Sequence, residues 1–181
     1  MSTALSIEPL PAQELPAALP GLVRVLHACV RDGASIGFLW PLAPGELEAY
    51  WTGLGPELAG GERVLLVARQ AGELVGTVQL VLEHRANGRH RAEVSKLLVH
   101  PEARRLGVAR GLMLALEALA RARGRSLLLL DTRTGDAAER LYLSLGYQLF
   151  GQVPAYACSP AGVPETCSFM FKVVSPRSGG G

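Results

Sequence analysis

Apolar residues in four parts of the chain recur every three or four positions, which places them on one face of an α-helix. In the most regular part, Leu112, Leu116 and Leu119 follow this spacing with alanine among the residues between them, and alanine is a strong helix former. Gly60-Gly61 ends one helical segment, and Asp136 stands at the N-cap of another. The predicted helices cover residues 11–31, 44–58, 107–123 and 136–145.

Shorter apolar or alternating segments lie between these helices and predict β-strands. Residues 127–130 are all leucine, a continuous apolar run typical of a strand buried on both faces. The predicted strands cover residues 5–10, 63–69, 73–83, 91–99, 126–131, 147–153 and 166–174. The resulting order, β-α-α-β-β-β-α-β-α-β-β, predicts one α/β domain over residues 1–174 and a disordered tail over residues 175–181.

Composition narrows the classes of protein to consider. The chain has 181 residues, 49% of them hydrophobic, which suits one globular domain with a substantial core. A net charge of +2 is too small to indicate nucleic acid or an anionic membrane as the main partner. Neither an apolar run of membrane-spanning length nor a signal core is visible, so we expect a soluble cytoplasmic protein. The three cysteines, Cys29, Cys158 and Cys167, are expected to be free thiols.

A basic turn joins the strand at 91–99 to the long helix that follows it. The first amides of a helix have no partner inside the helix, and the helix dipole places partial positive charge beside them. Gly107 and Ala109 keep the turn free of bulk, and Arg104, Arg105 and Arg110 add positive charge. The segment therefore predicts an anion site, with a plain strand–helix connection as the alternative.

The spacing Arg104-x-x-Gly107-x-Ala109 after a strand resembles the diphosphate-binding signature of the GNAT superfamily of N-acetyltransferases. It is neither a Rossmann fingerprint nor a P-loop. The resemblance implies that the turn binds the diphosphate of acetyl-coenzyme A (acetyl-CoA), and that the backbone of the preceding strand binds the pantetheine arm. The cofactor-binding residues it implies are Leu97, Leu98, Val99, Arg104, Arg105, Leu106, Gly107, Val108, Ala109 and Arg110.

The sequence of the last predicted helix also resembles members of this superfamily. Ala138-x-x-Leu141-Tyr142-x-x-x-Gly146-Tyr147 resembles the pattern A-x-x-L-Y-x-x-x-G-F/Y of its members. Gly135 stands where many members have an asparagine, which puts that side chain's contact with coenzyme A in question. The resemblance implies an α/β GNAT fold: a mixed sheet of about seven strands flanked by helices, in which the parallel strands at 91–99 and 126–131 splay apart and hold acetyl-CoA.

Further segments resemble the tabtoxin-resistance acetyltransferases, which N-acetylate an amino-acid-like β-lactam toxin. They are residues 33–38, 91–94 and 130–132, with Pro154-x-Tyr156. This resemblance implies a related small primary amine as substrate, bound by the loops at 33–40 and 153–166. The substrate-binding residues expected from these loops are Ser35, Phe38, Trp40 and Tyr156.

Three side chains are candidates for catalysis. An ammonium must lose a proton before its nitrogen can attack a thioester, which requires a base such as a carboxylate. Glu93 stands where many family members keep a glutamate, and Asp131 ends the neighbouring strand at the carboxyl edge of the sheet. Tyr142 occupies the family position of a general acid for the departing thiolate. The alternatives are a solvated strand residue for Glu93, a turn or cap residue for Asp131 and a packing aromatic for Tyr142.

The residues and the resemblance together predict an acetyl-CoA-dependent N-acetyltransferase that works by direct attack of a small amine. No histidine or cysteine spacing indicates a metal site. Two alternatives remain open: an acetyltransferase of protein N-termini or lysines, and a non-catalytic acyl-CoA-binding sensor. The expected partner is a small-molecule amine, with no nucleic acid and no membrane, and a homodimer is left open.

Overall fold

The computed structural model describes residues 4–174, so the predicted disorder of residues 175–181 lies outside the described residues. It contains seven strands and five α-helices, close to the predicted order. The strands are β1 Leu5–Pro9, β2 Arg63–Gln70, β3 Glu73–Leu82, β4 Arg91–Val99, β5 Leu127–Arg133, β6 Gln148–Cys158 and β7 Pro164–Val173. The helices are α1 Leu15–Arg31, α2 Glu46–Gly53, α3 Gly55–Gly60, α4 Val108–Ala122 and α5 Ala137–Ser144.

All seven strands form one sheet in the order β1-β2-β3-β4-β5-β7-β6. Only the central pair, β4 and β5, is parallel. Helices cover both faces of the sheet: α4 packs over β2, β3 and β4 on one face, and α1 packs over β3 and β4 on the other. Each face has its own core, with Leu112, Met113 and Leu116 fully buried on the α4 side and Leu22, Leu26 and Trp51 on the α1 side. The expected mixed seven-strand sheet is confirmed.

The parallel pair separates soon after it begins. β4 and β5 pair at Arg91↔Leu127, Ala92↔Leu128 and Glu93↔Leu129, and the ladder ends there. β4 continues to pair with β3, but its register shifts between Gln79↔Ser95 and Thr77↔Leu98. Two residues of β4 therefore stand opposite one residue of β3, which is a β-bulge.

The bulge changes which face each β4 side chain occupies. Before it, Ala92 and Val94 belong to the core on the α4 side, and after it Leu98 belongs to the core on the α1 side. Strict alternation would have kept these three even-numbered residues on one face. At the bulge Lys96 has φ +50°, and its carbonyl accepts a hydrogen bond of 3.2 Å from Thr77 Oγ1. The bulge turns β4 away from β5 and opens the sheet.

Three sequence expectations need correction. The helix predicted at 44–58 is two helices, α2 and α3, with Leu54 between them. Asp136 occupies the N-cap of α5, but its carboxylate makes no capping bond because it accepts a hydrogen bond from Arg133 Nε at 2.9 Å. The predicted loop at 153–166 is mostly strand, since β6 extends to Cys158 and β7 begins at Pro164.

A substitution at Gly76 tests how closely β3, β4 and α4 must approach one another beside the bulge. A Cβ at Gly76 would lie 2.9 Å from the backbone oxygen of Leu98 and 3.1 Å from Leu112 Cδ1. Gly76→Ala should therefore lower the stability by about 1–3 kcal/mol and the Tm by roughly 2–12 °C in thermal unfolding. Gly53→Ala in α2 is the control, because a Cβ there meets nothing within 4 Å. An unchanged Tm for Gly76→Ala would contradict the close packing.

Candidate active site

A cavity of about 810 Å³ occupies the gap between the splayed strands. Its walls are the second half of β4, the turn before α4, the end of β5, the inner face of α5 and the loop after α1. The separation of β4 from β5 creates this space, because the backbone of β4 beyond Glu93 has no β5 partner. The lining includes Ala34, Ser35, Ile36, Gly37, Val94, Lys96, Leu97, Leu98, Val99, Arg105, Gly107, Val108, Ala109, Arg110, Asp131, Arg133, Tyr142 and Cys167.

The turn before α4 presents a run of unused backbone donors at one end of the cavity. Arg105 and Gly107 adopt positive φ values of +64° and +81°, and α4 begins at Val108. The first intrahelical bond of this turn runs from the Gly111 N–H to the Gly107 carbonyl, at 2.9 Å. Within residues 4–174 the six amides of residues 105–110 donate no hydrogen bond to another part of the protein. A run of unused donors with the helix dipole behind it is an arrangement that suits an anion.

The arginines of this turn have different roles. The Arg104 guanidinium forms an ion pair with Asp32, and its Nε donates to the Val99 carbonyl at 3.3 Å. The ion pair raises the pKa of Arg104, although burial acts against it. Arg110 donates to Ser144 Oγ at 2.7 Å, whereas Arg105 is exposed. Arg104 therefore fixes the turn to α1 and β4.

Nine of the ten residues expected to bind the cofactor lie in the cavity wall. The exception is Leu106, whose side chain is 60% exposed and lies outside the lining. Its backbone amide still belongs to the run of unused donors. The structure therefore brings the strand residues 97–99 and the turn into one continuous surface.

Two of the three catalytic candidates meet in the cavity. Tyr142 on α5 is 5% exposed, and its ring packs against Tyr147 with centroids 5.7 Å apart. Burial, together with the nearby charge of Asp131, raises the pKa of the Tyr142 hydroxyl, so the group keeps its proton at neutral pH. Asp131 faces the open cavity, yet surrounding protein atoms remove part of its hydration. This desolvation raises the pKa of Asp131, and the charge of Lys96 partly offsets it.

Glu93 lies apart from this pair. It is exposed on β4 opposite Leu129 at the last paired position, and it is not in the cavity lining. Its charge nevertheless acts on Lys96. Glu93 therefore stands beside the point where the strands separate, at the edge of the cavity.

The expected aromatic wall of the substrate pocket is not formed by the described residues, because only Ser35 of the four candidates lines the cavity. Ser35 Oγ donates to the Cys158 carbonyl at 3.0 Å. Phe38 is a core residue, 8% exposed, with its ring edge-on to Tyr50 at 5.4 Å. Trp40 is 47% exposed and packs against His27, at 5.8 Å.

Tyr156 is on strand β6 and is 52% exposed. Its ring stands edge-on to Phe169 at 4.8 Å. The sequence shows which residues of these segments are aromatic. The surface that each ring packs against depends on tertiary contacts, and no local sequence pattern predicts those contacts.

Two positively charged groups in the cavity wall were missed from the sequence. Lys96 lines the cavity at the bulge, and burial lowers the pKa of its ammonium. Arg133 donates to Asp136, to Glu165 and to the Gly33 carbonyl, with distances of 2.9 to 3.2 Å. Arg133 thereby ties the loop after α1 to β5 and β7. Lys96 has one visible signal, since it is a lone lysine in an otherwise apolar part of a strand, while Arg133 has none.

Residues 4–174 contain no helix long and apolar enough to cross a bilayer. In the same range, no three His, Cys, Asp or Glu side chains are grouped as ligands for a metal ion. The expectations about a small amine partner, nucleic acid, membranes and a homodimer stay predictions.

Comparison with known proteins gives a match to the family model described as "Acetyltransferase (GNAT) family", over residues 27–147. A curated relative, an uncharacterized N-acetyltransferase in the hisH–hisA intergenic region of Azospirillum brasilense, is 40% identical over 106 residues. That alignment covers 58% of this chain and 61% of the relative, so less than two thirds of the relative is spanned.

Solved structures share the fold over nearly the whole chain. The ribosomal-protein-alanine N-acetyltransferase from Brucella melitensis is 26% identical with a TM-score of 0.74, covering 93% of this chain and 99% of that one. The yncA protein of Salmonella typhimurium, determined with its cofactor acetyl-CoA, is 21% identical with a TM-score of 0.75, covering 97% and 96%. The fold implied by the resemblance is therefore confirmed.

Proposed function

The chain belongs to the acetyltransferase (GNAT) family, and we propose that it is an acetyl-CoA-dependent N-acetyltransferase that acts on a small primary amine. The amine is amino-acid-like or antibiotic-like, and it attacks the acetyl group directly. The observation that carries this proposal is the run of six unused amides at residues 105–110, which opens into the same cavity as Asp131 and Tyr142.

The residues of the cavity fit acetyl-CoA. Backbone donors at a helix N-terminus suit a diphosphate, and a Cβ at Gly107 would meet nothing within 4 Å, so the approach to these amides is open. The backbone N–H groups of Leu97 and Val99 lie on the side of β4 that has lost its β5 partner, which suits the amide groups of a pantetheine arm. When bound, acetyl-CoA supplies an acetyl group activated as a thioester.

Asp131 is the favoured base. A carboxylate with a raised pKa takes a proton from an ammonium more readily than an ordinary carboxylate does. Asp131 also lies in the cavity lining, whereas Glu93 is exposed at its edge. Glu93 is therefore assigned a supporting role, in which its charge attracts the substrate ammonium or acts through a water molecule.

Tyr142 is the proposed general acid for the departing thiolate. Its raised pKa keeps the hydroxyl protonated and available as a donor, although it also makes loss of the proton less favourable. A thiolate leaving group needs only a hydrogen bond or a proton that is shared late in the reaction. The backbone N–H groups of β4 that face the gap, those of Leu97 and Val99, are the proposed donors to the oxyanion, because the Leu98 backbone faces β3.

Gly107 tests the cofactor assignment. Gly107→Glu should abolish acetyl-CoA binding in calorimetry, because a carboxylate and its side chain would occupy the position proposed for the diphosphate. Gly124→Glu is the matched control: Gly124 has a similar φ of +69° with nothing within 4 Å of its Cβ position, but it lies after the other end of α4. Both variants carry the same backbone strain, so only the first should lose binding. Unchanged affinity in a folded Gly107→Glu variant would contradict the assignment.

The catalytic assignments are tested on the best acceptor found by thiol release from acetyl-CoA with a panel of amino acids, dipeptides, polyamines and amine antibiotics. Asp131→Asn should lower kcat/KM for the amine by about 10²–10⁴-fold, and Glu93→Gln by less. Much of the Asp131→Asn loss should recover at high pH, where more of the amine arrives neutral. In the wild type, activity should rise with pH through the raised pKa of Asp131, because only the ionised carboxylate accepts a proton.

Tyr142→Phe keeps the ring and removes the hydroxyl. Its kcat should fall without recovery at high pH, since a neutral amine does not assist a leaving group. A wild-type kcat for Tyr142→Phe, measured where chemistry is rate-limiting, would make Tyr142 a packing residue. Loss of activity in Asp131→Asn that high pH does not restore would remove Asp131 as the base.

A further inference from the structure

Lys96 is a charged side chain of the cavity wall that has no part in the proposed reaction. It lies at the β4 bulge with φ +50°, a backbone conformation that residues other than glycine rarely adopt. The bulge breaks the alternation of β4, so the position of Lys96 in the wall depends on the same irregularity that opens the cavity. Strained positions of this kind are found often at functional sites.

The Lys96 ammonium has no ionic partner among residues 4–174. No carboxylate lies within ion-pair distance of its Nζ and no protein acceptor within hydrogen-bond distance, since the lysine contacts of both kinds in the described residues belong to Lys172. The Tyr50 ring has its centroid 5.8 Å from Nζ, and a Cβ added at Gly37 would lie 3.7 Å from Nζ. Burial lowers the pKa of Lys96, and the more distant charges of Asp131 and Glu93 offset only part of this effect, so the ammonium is partly desolvated without an anion in contact.

Two other cations of the cavity wall are already paired. Arg133 is bound to Asp136 and Glu165, and Arg104 to Asp32. Among the negative charges, Asp131 has the largest effect on the pKa of Lys96, which it raises. Lys96 in turn lowers the pKa of Asp131. They are nevertheless further apart than an ion pair. The substrate end of the cavity thus holds one positive side chain, Lys96, and one negative side chain, Asp131, that do not form an ion pair with each other.

We propose that Lys96 binds the carboxylate of the acetyl acceptor, so that the acceptor is a zwitterionic amino acid or a compound of that shape. Its ammonium is directed toward Asp131 and its carboxylate toward Lys96. A ligand with both charges compensates both desolvated groups of the protein, whereas a simple amine compensates only one. This inference rests on the proposed function, because it assigns the substrate class of the same site.

The Tyr50 ring lies beside the Lys96 ammonium, with its centroid 5.8 Å from Nζ. Tyr50 is itself fixed by a hydrogen bond of 3.0 Å from Gln79 Nε2, and Gln79 Oε1 accepts from Arg63 at 2.6 Å. Gln79 is fully buried, so this chain of contacts is part of the core on the α1 side. Lys96 is therefore a specificity-determining residue on a rigid support, which favours a defined position for the carboxylate.

The test compares three acceptors of matched shape: the best amino acid of the panel, its carboxamide and the amine left when the carboxylate is removed. The wild type should prefer the amino acid by roughly 10–100-fold in kcat/KM, the range expected for a hydrogen bond between charged groups. The difference should appear mainly in KM. Equal or better use of the uncharged analogues by the wild type would overturn the inference, and this comparison needs no variant.

Lys96→Met keeps most of the stem and removes the charge. It should bring the preference close to one, Lys96→Arg should retain it, and Lys96→Glu should reverse it in favour of an acceptor with a second amine. An equal loss with all three acceptors, or an acetyl group found on Lys96 itself by mass spectrometry, would overturn the inference in favour of a structural or self-modifying role. If no amine of any kind is acetylated, the proposed function fails instead, so the two failures are distinguishable.

Discussion

The strand β4 is hydrogen-bonded along most of its length to β3 but only at its start to β5, and the rest of the molecule depends on this asymmetry. If β4 and β5 stayed paired along their whole length, their backbone groups would hydrogen-bond to each other and the middle of the sheet would have no cavity. The bulge at Lys96 turns β4 aside, and Gly76 lets β3 and α4 remain in close contact with it. Helices on both faces bury the two cores, so the sheet tolerates a gap at its centre.

The same gap separates the charges of the site into two groups. At the end near α4, the amides of residues 105–110 and the helix dipole provide positive potential without a buried side-chain charge. Away from this turn, ion pairs hold Arg133 as a structural tie, while Lys96 and Asp131 remain without close partners. Unpaired groups in a desolvated site cost stability. That cost is expected where a protein keeps side chains ready for a ligand.

The sequence predicted the elements well because most of them have strong local signals. The β4 bounds, the α4 helix and the Gly-containing turn between them were predicted closely, and the resemblance supplied their arrangement. The errors concern residues whose environment is set by distant parts of the chain. Phe38 packs on Tyr50 instead of lining the pocket, and Asp136 is used by Arg133 instead of capping α5. Lys96 was missed because a bulge, unlike a helix or a turn, leaves no regular pattern in the sequence.

Amide hydrogen exchange measured with two ligands tests the central claim, that the gap beside β4 and the turn before α4 form one cofactor site. Saturating coenzyme A should slow exchange both at residues 94–99 and at residues 105–110. Acetyl-pantetheine, which lacks the diphosphate, should protect residues 94–99 alone. Unchanged exchange at residues 105–110 with coenzyme A bound would contradict this claim, because those six amides would then not bind the diphosphate.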